Sequence, residues 1–439
     1  MKFYIHNARG FTDQEIEIKD VNFLVGENST GKTSFMGLLD MITGHAFLDM
    51  GKLINENYKW GSFGEILNED SNEDFYQLGT HIRLVDLPYA YVAGFTDVMV
   101  VYKFTGDMGK IQLAGLSFAN ESQIIHYLIK EELFSTAKKP RNRKKAMTLK
   151  ELASLQRSLR KEDAKELALN SFAVQQLKNI GVMSPAHYFL ILEQLASNNN
   201  IRPRTLIPAF LHRKVINHSP IRAKPQKTYD KPSTEMSTEG DHTPYLLREI
   251  FRKDPWKKLL IDRFGVKSGL FEKYIITDYD NRKKASNLDY ESPFEIDFTF
   301  GSDSTRSIIQ VGYGVSQVLP IVVSIINEKD VVHMVQQPEV HLHPKAQAAL
   351  GEFFYEQVKG SKRQLIVETH SDFIIDRFRR CYGKGEGKEM SCQILYFERK
   401  ESGNKVTSIE ILENGEYSLD QPKGFREFFL NEAYSALGF

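Results

Sequence analysis

Gly26-Glu27-Asn28-Ser29-Thr30-Gly31-Lys32-Thr33 fits the phosphate-loop pattern G-x-x-x-x-G-K-[ST] at every fixed position. Residues 21–25, Val-Asn-Phe-Leu-Val, form a mostly apolar run before it, and residues 34–42 have helical character after it. Strand, glycine loop and helix is the setting the motif needs. Glycines let the backbone turn so that N–H groups converge on phosphate oxygens. Lys32 supplies charge at the β and γ phosphates, and the Thr33 hydroxyl is placed to ligand Mg²⁺. The helix starting near Lys32 adds the positive end of its dipole. The expected ligands are therefore ATP and Mg²⁺. A chance glycine loop would lack both flanks and the motifs described below.

Outward from the loop, the first 26 residues read as strands. Residues 2–6 are short and β-rich, and Ile16 and Ile18 alternate with Glu15 and Glu17. Residues 80–118 carry β-like runs, notably 91–104. From 121 to about 198 the chain is rich in Leu, Lys, Glu, Ala and Gln, with apolar residues three or four apart, which predicts helices. Residues 217–244 hold four prolines and many Ser, Thr and Lys, an irregular connector. Helical text resumes at Tyr245. From 294 to 367 β and α signals alternate, predicting a parallel sheet with crossover helices.

The 439 residues suggest two or three units at ~150 residues each. With 41% hydrophobic residues the chain can bury a large core. Lys+Arg and Asp+Glu both number 57, so no net charge draws the chain to nucleic acid or anionic membrane. No apolar run approaches the ~20 residues of a membrane helix, and the N-terminus lacks a signal-peptide core. The two cysteines, Cys381 and Cys392, have neither metal nor redox spacing. A cytoplasmic, reducing setting without a membrane partner is expected.

Three further motifs lie downstream. Val311-Gly312-Tyr313-Gly314-Val315-Ser316-Gln317 is a glycine-rich turn leading into an apolar helix. Residues 331–335 are an apolar strand ending in Gln336-Gln337-Pro338-Glu339, followed at once by His341-Leu342-His343-Pro344. Residues 364–367 are another such strand, ending in Glu368-Thr369-His370-Ser371.

The order GENSTGKTS, VGYGVSQVLPIV, QPEVHLHPKAQ and VETHSDF resembles the ABC-type ATPase head of the RecF/SMC/OLD group. More narrowly it is similar to stand-alone ATPase subunits of anti-phage systems such as PARIS and Septu. Glu413-Asn414-Gly415 and Pro422-Lys423-Gly424-Phe425 resemble the tails of such proteins. The likeness covers roughly the first 70 and last 150 residues. It implies an α/β fold: an ABC-type P-loop head, mixed sheet plus parallel core, split by a helical insertion. The head's N-terminal part would be 1–118, the insertion with its connector 119–290, and the C-terminal part 291–439.

The resemblance also implies site roles. Asn28, Ser29, Thr30, Gly31, Lys32, Thr33 and Ser34 would cradle the phosphates. Gly312, Gly314, Ser316 and Gln317 would form a signature segment capping the γ-phosphate held by another subunit. His370 would be the γ-phosphate switch, Glu339 a water-activating or magnesium-supporting carboxylate, and Gln337 the residue at the usual base position. Thr33 and Gln336 would serve the magnesium. Two departures stand out. Glutamines replace the acids that usually end a Walker B strand, and glutamine can hold a magnesium-bound water but cannot accept a proton. Slow hydrolysis and tight nucleotide retention are expected. Ser316 is also shifted from its place in the usual signature.

Other features admit plainer readings. The spacing Glu339-x-His341-x-His343 would put three ligand types on one face of a strand, though in the resembling family this stretch is a loop. Ser316 and His370 suggest a hydrolase triad, but no nucleophile elbow accompanies them. The cluster Lys138, Lys139, Arg141, Arg143, Lys144 and Lys145 reads as a solvated run before it reads as a DNA contact. The segment from Ser219 to Tyr229 adds basic and aromatic residues suited to a nucleotide, nucleic acid or a partner, and Arg222 is the first of them to test. No nuclease signature is visible.

Two functions follow. One is a sensor or scaffold subunit: heads sandwich ATP into a homodimer or higher oligomer that controls a separate effector such as a nuclease, triggered by a phage protein or DNA. The other is a RecF-type repair or chromosome-maintenance ATPase on duplex DNA, against which the zero net charge counts. A transporter ATPase fits the long middle segment poorly.

Overall fold

The computed structural model describes residues 1–44, 47, 58, 60, 62–83, 97–107, 110–119, 123–130, 133–141, 146–159, 165–166, 214–230, 236–279, 292–301, 304–385, 390–425 and 427. The chain divides into two compact units. The first comprises residues 1–18, 27–215 and 397–408; the second comprises 19–26, 216–396 and 409–439.

An eight-stranded sheet belongs to the first unit. Its strands are β1 (Lys2–Ala8), β2 (Phe11–Glu17), β4 (Tyr76–Arg83), β5 (Asp97–Asp107), β6 (Lys110–Ala119), β7 (Gln123–Lys130), β8 (Leu133–Pro140) and β9 (Lys165–Glu166). The order is β2-β1-β4-β5-β6-β7-β8-β9, antiparallel throughout. Helices α1 (Lys32–Thr43), α2 (Phe63–Ile66) and α3 (Leu149–Ser158) accompany it. Leu149, Leu152 and Ala153 of α3 pack on Tyr4, Met99 and Val101 of the sheet. Thr148 starts α3 with a full capping box closed by Glu151.

The six-stranded sheet runs β10-β14-β15-β3-β16-β17, from β3 (Val21–Gly26), β10 (Val215–His218), β14 (Val332–Gln336), β15 (Gln364–Glu368), β16 (Cys392–Lys400) and β17 (Gly403–Ile411). Its centre is parallel, Val332 standing opposite Gln364 and Leu365 opposite Val21. All residues of β3, β14 and β15 are buried, so these strands read as near-continuous apolar runs. The polar residue of β3, Asn22, is satisfied: its Oδ1 accepts from Lys19 N and Gln393 Nε2, and its Nδ2 donates to Leu365 O. A small antiparallel sheet joins β11 (Lys273–Asp278), β12 (Phe294–Phe300) and β13 (Ser304–Ser307).

The second unit's helices are α4 (Thr243–Lys253), α5 (Pro255–Ser268), α6 (Tyr313–Asn327), α7 (Pro344–Val358) and α8 (Asp372–Lys384). From Gly314 to Ile326 every residue of α6 is buried, the mark of a helix apolar all round and enclosed in a core.

The mixed α/β fold holds. Two local expectations do not. Residues 121–140 were expected to be helical, yet β7 and β8 form a hairpin there. The text Gln-Ile-Ile-His-Tyr-Leu-Ile-Lys is β-branched and aromatic, and pairing with β6 decides for the strand. Residues 294–307 were expected to open a parallel sheet, but β12 and β13 pair antiparallel: Phe300 and Ser304 lie too close in the chain for the long crossover that parallel pairing needs. Much of the insertion expected over 119–290 lies outside the described residues, as do Arg143, Lys144 and Lys145.

Candidate functional site

Two constellations stand out: the phosphate loop, whose residues 27–33 belong to the first unit, and the ends of β14 and β15 in the second. In the first, β3 hands the chain to the phosphate loop. Gly26, Ser29 and Gly31 take positive φ values of 149°, 62° and 95°. The left-handed turns at Ser29 and Gly31 aim successive N–H groups inward, an anion-binding concavity. Gly31 is also sterically required: a Cβ there would stand 2.6 Å from Asn404 Nδ2 and 2.9 Å from Phe11 Cζ. Asn404 is itself held, its N–H donating to Gly10 O.

Lys32 is buried, and its ammonium donates to the carbonyl of Glu27 at 2.7 Å. Thr30 Oγ1 donates to the same oxygen at 2.8 Å. The loop is thus tied together at the carbonyl of Glu27. Asn28, Ser29 and Thr33 are exposed, as an incoming ligand requires. Ser34 lies on α1 with its Oγ 3.5 Å from Arg9 Nε. The loop fits a triphosphate, and Thr33, an exposed residue, carries a hydroxyl of the kind that holds Mg²⁺.

The second constellation surrounds the ends of β14 and β15. Gln337 leaves β14 with φ at 42°, and its N–H donates to Glu368 O at 2.8 Å. That turn brings Glu339 beside the residues after β15. Glu339 Oε2 accepts from Thr369 Oγ1 at 2.8 Å, and Oε1 accepts from the backbone N–H of His370 at 2.7 Å. Thr369 Oγ1 in turn accepts from Ser371 N at 3.0 Å. Ser371 caps α8 by accepting from Ile374 N, and its hydroxyl donates to Gln347 Oε1 at 2.6 Å. Gln347 Nε2 closes the chain on Leu342 O. Glu339 and His370, which follow two different strands, are therefore joined. His370 is exposed, while Thr369 is fully buried.

The two histidines after Glu339 have other duties. His341, at φ 63°, sets its ring 5.8 Å from that of Tyr313. His343 caps α7, accepting from Ala346 N at 3.3 Å. Glu339 and the histidines do not converge, and no metal-type cluster exists among the described residues.

Gly312 is the N-cap of α6 and is exposed, as is Tyr313 at 66%. A Cβ on Gly314 would meet His341 O at 2.9 Å, so glycine lets the start of α6 lie against the turn after β14. Ser316 and Gln317 are buried, and Ser316 Oγ donates back to Tyr313 O at 3.0 Å. The part of this segment open to a second molecule is therefore Gly312 and Tyr313.

Arg222 was singled out in the sequence, but nothing there located its partner. It is 4% exposed, and Nη2 donates to the carbonyl of Gln336 at 3.0 Å. Its Nε and Nη1 are buried without a hydrogen-bond partner among the described residues. Burial pulls its pKa down to about 10, against the opposing pull of the Glu339 charge. The residues after it, 223–226, line a cavity of about 360 Å³ together with Ser316, Leu319 and Pro320 of α6. The roles of Thr369 and Gln347 were also missed. A threonine between a strand and a histidine carries no distinguishing signal until the fold sets Glu339 beside it.

The profile of the AAA ATPase domain family matches residues 1–375. No curated protein matches the sequence. Among solved structures the chain is similar to an Smc head bound to the C-winged helix domain of ScpA, at 11% identity and TM-score 0.47 over 93% of this chain and 97% of that one. It is similar to the Pyrococcus furiosus Smc head with an extended coiled coil, bound to the C-terminal domain of ScpA, at 10% identity and TM-score 0.44 over 99% and 98%. The Thermotoga maritima SMC head domain gives 9% identity and TM-score 0.38 over 93% and 98%.

Proposed function

The chain belongs to the AAA ATPase domain family, and on that premise we propose that it is a slow ATPase that uses ATP chiefly as a clamp between copies of itself. The observation that carries this is the phosphate loop, with Lys32 buried and docked on Glu27 O. With a nucleotide present, Lys32 would turn its ammonium to the phosphate oxygens and the loop N–H groups would hold the remainder. Thr33 would hold Mg²⁺, which would supply positive charge against the phosphates.

Slow turnover follows from the residue types at the end of β14. Gln336 can hold a water on magnesium, and Gln337 cannot take a proton. Glu339 is then the carboxylate available to orient water, but both of its oxygens already accept hydrogen bonds from Thr369 and His370. The exposed start of α6 at Gly312 and Tyr313 offers helix N–H groups to a γ-phosphate held by a second copy. In this reading the ATP-bound oligomer is the signalling state. It holds or releases a separate effector in anti-phage defence, in keeping with the PARIS- and Septu-like motif order.

The test combines nucleotide titration, steady-state hydrolysis and light scattering with and without ATP–Mg²⁺. We expect binding, turnover no faster than ~1 s⁻¹ against a typical ~10 s⁻¹, and an ATP-dependent rise in mass. Turnover in the tens per second, or a monomer under both conditions, would refute the clamp.

A further inference from the structure

We infer that Arg222 is a positioning residue for Glu339, providing a second seat to which that carboxylate moves when Thr369 and His370 release it. The inference rests on the ATPase reading above and deepens it.

A buried guanidinium with idle donors is costly, because each lost water contact goes unreplaced. A hydrophobic residue of similar volume would suit the same place better. Yet Arg222 is almost fully buried, Nη2 is tied to Gln336 O, and Nε and Nη1 have no acceptor among the described residues. The Gln336 tether fixes the guanidinium at the end of β14, three residues before Glu339. Glu339 is the acid whose charge acts on it. In the state described, Glu339 spends one oxygen on Thr369 and the other on the His370 N–H. Each Glu339 oxygen keeps a further lone-pair site, but in the arrangement described neither reaches Nε or Nη1, so pairing with Arg222 requires the carboxylate to turn away from its first seat. Any movement of His370 that breaks the first seat makes the second the better one. The residues that follow Arg222, 223–226, line a cavity together with Ser316, Leu319 and Pro320 of α6.

The experiment compares wild type, Arg222→Met, Glu339→Gln and the double variant in full-length protein, by ATPase kinetics and thermal unfolding with and without ATP–Mg²⁺. Arg222→Met is expected to lower kcat at least about tenfold while KM for ATP moves less than about threefold, and to add no loss in the Glu339→Gln background. Without nucleotide, Arg222→Met should leave Tm unchanged or raised, and raise it by at least ~2 °C more in the Glu339→Gln background, where the cation has lost its counter-charge. Arg222→Lys, which keeps the charge, should recover part of kcat. If Arg222→Met does not fold, Arg222→Lys carries the same four-way comparison. Equal kcat losses in both backgrounds, or a lowered Tm with unchanged kcat, would overturn the inference and make Arg222 a structural brace. A wild type that neither binds nor hydrolyses ATP would sink the ATPase reading alone. The nucleotide-free Tm comparison then still decides the inference, and additivity there refutes it.

Discussion

Thr369→Val is the sharpest probe of the junction between β14 and β15. The two side chains have nearly the same shape, and the position is fully buried, so little but the hydroxyl changes. That hydroxyl donates to Glu339 Oε2 at 2.8 Å and accepts from Ser371 N at 3.0 Å. Loss of a hydrogen bond to a charged group costs about 1.5–3 kcal/mol, and an N–H left without an acceptor costs about 1–3 kcal/mol. A net destabilisation of about 3 kcal/mol is expected. At ~2–4 °C per kcal/mol for a domain of 150–250 residues, Tm should fall by about 6–12 °C. Thermal unfolding with a denaturant titration provides the measurement. Repeating it in Glu339→Gln, where the acceptor is neutral, should shrink the effect by about 1–2 kcal/mol, because a neutral hydrogen bond is worth less. Thr369→Ser should behave nearly as wild type. A Tm drop under ~2 °C, or an equal drop in both backgrounds, would show that Thr369 does not hold Glu339.

Other outcomes follow from the same geometry. Lys32→Ala should weaken ATP binding and cut hydrolysis by about 10²-fold or more, read by titration and steady-state kinetics; retained affinity would remove the loop from the site. Gly31→Ala places a methyl against Asn404 and Phe11 at positive φ, so lower stability and lost nucleotide binding are expected together in unfolding and binding assays. Gly314→Ala should cost about 1–3 kcal/mol in chemical denaturation, because its Cβ would press on His341 O. Burial, then the neighbouring His333 and Arg222, push the His218 pKa well below its usual value. The unfolded chain then binds the extra proton at lower pH, so stability should fall as pH drops below about 6.5. In urea titrations from pH 7 to pH 5, His218→Phe should flatten that slope, and an unchanged slope would assign it to other groups.

The sequence by itself determined what is local and covalent. The loop's glycines, Lys32 and Thr33 stand in fixed order, and backbone dihedrals alone shape the concavity. The apolar runs at residues 21–25, 331–335 and 364–367 announced buried parallel strands because a strand covered on both faces has no polar side to alternate. Periodicity failed at residues 123–140, where the apolar spacing suited either a helix or a strand until β6 supplied an edge to pair with. Tertiary structure decided what depends on distance through space. It set Glu339 on Thr369 and His370, gave His341 and His343 separate duties, and turned Ser316 back on its own helix. It also buried Arg222 against Gln336, residues 114 positions apart in the chain. No spacing rule reaches that far: such pairs are fixed by which strands lie side by side, and strand order is a property of the packed sheet.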